Sequence, residues 1–168
     1  MYQSSWLKTR DAGARNVALA ILSGGLVAGT IDIFAASLIT LLSPLLILRF
    51  IAGGLLGAAA LGGGLNTLLL GLVLQWAMSV LIAAIFVFAA TRIPWMLRRA
   101  AVAGLAYGVI IYFGMNYVVV PLSAWHRWPT FKPVSFAENL LAMLLFGVIV
   151  AFCARRFLVA AKLQPAQA

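Results

Sequence analysis

The 168 residues are 65% hydrophobic and only 9% charged, where a soluble domain averages about 45–50% and 25%, so the chain carries more apolar surface than a soluble core can bury. Crossing a bilayer takes about 20 apolar residues per helix, which leaves room for four or five spans with short connections and none for a separate soluble domain. The formal net charge of +9 does not point to nucleic acid, because the 12 Lys and Arg stand in short clusters at the edges of apolar runs and no nucleic-acid motif accompanies them.

The first apolar run covers 17–42 behind Lys8, Arg10 and Arg15. It is longer than the apolar region of a signal peptide and lacks a convincing cleavage site, so it is expected to remain as a first span. Ser43-Pro44 should stop it, since proline lacks an N–H and disfavours helix in the residue before it.

The next stretch, PLLILRFIAGGLLGAAALGGG at 44–64, is apolar enough to suggest a span. Charge placement decides against one. With four spans and a cytoplasmic N-terminus, nine basic residues (Lys8, Arg10, Arg15, Arg92, Arg98, Arg99, Arg155, Arg156 and Lys162) lie inside and three (Arg49, Arg127 and Lys132) outside. A fifth span reverses every later loop and leaves five of the 12 inside, against the positive-inside bias. The stretch is therefore read as a short interfacial or re-entrant helix on the outer side, with Arg49 reaching to the headgroups. Its polar backbone needs cover from the rest of the protein.

The second span is expected at 65–90 before Pro94, the third at 100–120 before Pro121, and the fourth from about 136 to 154 before Arg155-Arg156. Trp6 and Trp95 then fall at the inner interface, and Trp125 and Trp128 at the outer one. The tail from Lys162 to Ala168 is polar and expected to fray. The expected fold is all-α: one transmembrane domain, 1–168, in the form of a four-helix bundle with that short helix between spans one and two.

Helices in lipid associate through small residues that permit close approach. Gly25, Ala28, Gly29, Asp32 and Ala36 share one face of the first span. Gly71, Gln75, Ser79 and Ala83 do so on the second, and Gly104 and Gly108 on the third. Bundle packing explains these stripes, and homodimerisation through one of them is left open.

Ionisable groups within the hydrocarbon cost a few kcal/mol or more and mark candidate sites. Asp32, Gln75, Asn116 and Glu138 each lie 17 positions from the nearest inner-edge arginine, about 25 Å at 1.5 Å per residue, in the outer third of the core. Two readings stay open. In the first, these groups form an interhelical hydrogen-bond network, with Asp32 protonated or paired with Arg49. In the second, they line a water-accessible vestibule for a small polar ligand or for protons, and the chain is a small transporter or channel. Ser135 followed by Glu138 also fits a capping box.

Cys153 is the only cysteine and His126 the only histidine, so no disulfide, CxxC pair or metal cage is expected. No GxSxG, P-loop or GxGxxG supports catalysis or a cofactor. Anionic lipid headgroups are the expected partners of the basic clusters, with a homo-oligomer or a larger membrane complex as further partners.

Three strings, GTIDIFAA at 29–36, IAGGLLGAAA at 51–60 and MNYVVVPLSA at 115–124, resemble a family of uncharacterised small polytopic bacterial inner-membrane proteins. The matching residues are Asp32, Met115, Asn116, Pro121 and Ser123. The resemblance implies a multi-pass inner-membrane protein and brings no activity. Where that family has histidines in the second and fourth spans, this chain has Gln75 and Ala142, so a titrating or metal-binding role does not carry over.

Overall fold

A computed structural model describes residues 3–128 and 132–163, with side chains over 13–128 and 132–159. Trp6, Lys8, Arg10 and Lys162 fall outside the described side chains, as does the tail 164–168. The described residues are helical and contain no strand. Helix α1 is Gln3–Thr40, α2 is Pro44–Leu56 and α3 is Leu65–Arg92. A short α4, Pro94–Arg98, leads into α5, Ala100–Gly114. The three-residue α6, Val120–Leu122, and α7, Pro133–Leu163, complete the chain. Five stretches are long and apolar enough to cross a membrane: Gly13–Thr40, Pro44–Gly62, Leu65–Arg92, Ala100–Leu122 and Pro133–Val159.

Each boundary has a local cause. Helix α1 ends where Leu41 takes a left-handed backbone, φ 56°, a conformation that costs a residue with a Cβ about 1–2 kcal/mol. Ser43 then caps α2, its Oγ accepting from the Leu46 N–H at 3.3 Å, and Pro44 occupies the first helical position, where no N–H is needed. Gly57, φ 65°, ends α2, and a 3₁₀ turn at Gly57–Gly62 carries the chain to α3. The stretch read as a short helix thus totals 19 residues of helix and turn.

Pro121 does not stop the helix expected at 100–120. A π turn at Met115–Val119 joins α5 to α6 and takes the helix on through Leu122. The wider turn shifts the backbone pairing, with the Val120 N–H donating to the Met115 carbonyl, so a proline one residue later is accommodated. The capping box is not formed either: α7 begins at Pro133, two residues before Ser135, because proline is the better first-turn residue. The Ser135 carbonyl accepts from Asn139 Nδ2 at 2.7 Å instead.

The helices pack through their small residues, and the pairings give their directions. A Cβ on Gly25 would lie 2.6 Å from the Val80 Cα, one on Gly29 would strike the Ser79 hydroxyl, and Gln75 meets Asp32. As the α1 number rises the α3 number falls, so the two helices are antiparallel. On α5, a Cβ on Gly104 would lie 2.8 Å from the Val148 Cα, and one on Gly108 2.7 Å from the Leu144 Cα, so α5 and α7 are antiparallel too. Helix α7 packs against both α1 and α5, and α3 lies between α1 and α2.

Two ends follow from these directions. One, the Arg98 end, gathers Arg15, Arg92, Arg98, Arg99, Arg155 and Arg156. The other, the Trp125 end, holds Thr40, Leu65, Leu122 and Pro133. Since α1 arrives at the Trp125 end and α3 departs from it, the connecting stretch 44–62 leaves and returns at that end.

The main core of Ala28, Ala83, Phe86, Val87, Phe146, Val150 and Ala154 fills the space between α1, α3 and α7. A smaller cluster of Ile33, Ile47 and Leu48 packs α2 onto α1 and α3, where a Cβ on Gly71 would strike the Leu48 carbonyl.

Candidate functional site

Between these two apolar clusters, α1 and α3 face each other with polar groups. Gly29 and Ser79 bring the backbones close, and one turn further along Gln75 meets Asp32. Gln75 Nε2 donates to Asp32 Oδ2 at 3.0 Å and to the Gly29 carbonyl at 3.2 Å. Ser79 is 2% exposed beside them. On the flank of the same interface, Trp76 Nε1 donates to the Thr30 hydroxyl at 3.3 Å, and that hydroxyl donates to the Leu26 carbonyl at 2.7 Å.

Of the four residues at equal distance from the arginine edge, only Asp32 and Gln75 are brought together. Asn116 sits in the π turn and donates Nδ2 to the Tyr112 carbonyl at 2.9 Å, so its amide serves the carbonyl where the helix changes register. The Glu138 carboxylate makes no hydrogen bond among the described residues, and the residue lies in the first turns of α7, not against Asp32. Arg49 does not pair with Asp32. Its NH1 donates to the Leu61 carbonyl at 3.2 Å, tying α2 to the turn that follows, and its buried Nε has no partner. Among the described residues there is no group of His, Cys, Asp or Glu that could hold a metal.

Three contacts lay outside the sequence reading. Tyr107 Oη, on α5, donates to the Ile82 carbonyl of α3 at 2.7 Å, with its ring 5.1 Å from that of Phe86. Gly147 provides the α7 side of the close approach to Gly104 and Gly108. Trp125 is not a free interfacial anchor: Nε1 donates to the Phe50 carbonyl at 3.0 Å, and its ring fills the space above Gly53. The Ala124 N–H donates to the Gly54 carbonyl at 2.8 Å beside it. The Gly147 signal was readable, since Gly147 and Ala151 stand four apart. The other two pairings join residues 25 and 75 positions apart and leave no local pattern.

An all-helical chain with five apolar stretches of spanning length is built as a helical membrane protein. Comparison with protein-family models, with curated proteins and with solved structures gives no match.

Proposed function

We propose that this chain is a four-span protein of the bacterial inner membrane with both termini cytoplasmic, and that its role is structural or accessory, as a homo-oligomer or a subunit of a larger membrane complex. The observation that carries the role is the Gln75 amide, which bridges Asp32 and the Gly29 carbonyl. The polar side chains of α1 and α3 satisfy one another across a helix interface, the usual work of polar groups between membrane helices. Proteoliposomes test this. The parent chain should carry no proton flux above protein-free vesicles, and Gln75→Leu should weaken folding or assembly. A parental flux that Asp32→Asn abolishes while assembly stays intact would establish a transporter and overturn the structural role.

Two observations support four crossings. The stretch 44–62 leaves and returns at the Trp125 end, and six of the nine described basic side chains lie at the Arg98 end, which the positive-inside bias makes cytoplasmic. The bacterial inner membrane is the setting implied by the resemblance carried by Asp32, Met115, Asn116, Pro121 and Ser123. In a Cys153→Ser background, Ala58→Cys and His126→Cys should react with an impermeant maleimide added to intact cells, and Arg98→Cys should not. Labelling at position 98 from outside would reverse the topology.

A further inference from the structure

Near the Arg98 end, a surface groove of about 400 Å³ opens on α7, lined by Phe152, Cys153, Arg155 and Arg156. We propose that it binds one anionic phospholipid, the phosphate held by Arg155 and Arg156 and an acyl chain lying along Phe152. This goes beyond the structural role proposed above and depends only on α7 spanning the membrane.

The lining has both halves of a lipid. Neither guanidinium has a hydrogen bond or ion pair among the described residues, and both are exposed. An arginine fork matches phosphate oxygens two at a time. Phe152 lies one turn toward the bilayer centre and is 48% exposed, so it presents an apolar wall where an acyl chain begins. Cys153, at the base of this lining, packs on α1, where a Cβ on Gly24 would lie 3.5 Å from the Cys153 Cβ.

Charge complementarity names the occupant. Arg15, Arg92, Arg98, Arg99, Arg155 and Arg156 share this end, and the described carboxylates, Asp32 and Glu138, lie toward the other. Among the described residues no carboxylate stands at this end to balance the arginines, and a lipid phosphate supplies negative charge there. A free phosphate ion would satisfy the arginines and leave Phe152 uncovered.

The experiment uses the full chain in nanodiscs of phosphatidylcholine with a minor fraction of either phosphatidylglycerol or phosphatidylcholine bearing an acyl-chain diazirine. After illumination, the phosphatidylglycerol probe should label the α7 peptide containing Phe152–Arg156, and the phosphatidylcholine probe should label it far less. Arg155→Gln with Arg156→Gln should lower that labelling roughly fivefold per arginine removed, while Arg98→Gln with Arg99→Gln leaves it near the parental level. Equal labelling by both probes, or equal loss in both double variants, would reduce the groove to unspecific surface charge and overturn the proposal. Suppression by inorganic phosphate, beyond that by chloride at matched ionic strength, would assign the site to the free ion and overturn the lipid. The probe comparison needs only the unaltered chain, so misfolding of a variant does not spare the proposal.

Discussion

The ring of Trp125 occupies the space that a side chain at Gly53 would need, while its Nε1 donates to the Phe50 carbonyl at 3.0 Å. Helix α2 is thereby fastened to the chain just beyond α6 by a residue 75 positions away from Phe50. In an isolated helix Gly→Ala stabilises by up to about 1 kcal/mol. Here Gly53→Ala should destabilise by about 1–3 kcal/mol, because the methyl displaces the indole and overpacks the contact. Trp125→Phe, which loses the hydrogen bond and keeps a ring, should cost about 0.5–1.5 kcal/mol. Steric-trapping measurements in bicelles would read both, and a Gly53→Ala chain more stable than the parent would show that the ring does not hold this position.

Gln75→Leu should cost about 1–3 kcal/mol, because it leaves the Asp32 oxygen and the Gly29 carbonyl without the donor they share. Asp32→Asn keeps an oxygen to accept from Gln75 and should be milder. The coupling between the two positions in a double-mutant cycle should be about 0.6–1.7 kcal/mol. Additive effects with no coupling would mean that the pair does not hold α1 to α3.

Tyr107→Phe removes one oxygen and preserves the ring against Phe86, so it isolates the bond to the Ile82 carbonyl. The expected loss is about 0.5–1.5 kcal/mol, with the buried core unchanged. An unfolding midpoint equal to the parent's would show that this bridge between α3 and α5 contributes nothing.

Leu41 is 90% exposed and left-handed, φ 56°. Glycine adopts that backbone freely, so Leu41→Gly should stabilise the chain by up to about 1 kcal/mol despite losing a large apolar side chain. A loss of stability on the same assay would place a contact of Leu41 above its backbone cost.

The apolar runs were legible because a membrane helix must be apolar over its whole length, and the glycine stripes because close backbone approach excludes a Cβ. Both signals are local, and the facing of Gly25 and Gly29 onto α3 and of Gly104 and Gly108 onto α7 follows them. Pro121 misled for a physical reason: a proline removes one donor, and a π turn upstream can absorb that loss without ending the helix. Ser135 and Glu138 misled because Pro133 competes for the same helix start. At the candidate site, Asp32 with Gln75 was legible from equal depth and shared faces. Equal depth alone could not show that Asn116 bonds within its own helix, or that Arg49 turns to Leu61 and not to Asp32.

The fastening of α2 also sets an order of events during synthesis. The Gly54 carbonyl, near the end of α2, receives the Ala124 N–H, which the ribosome adds 70 residues later. At about 5–20 residues per second, the stretch around Gly54 spends several seconds at the membrane before its clasp exists. Its final seat against Ala124 and Trp125 therefore forms only after α5 and α6 have been made.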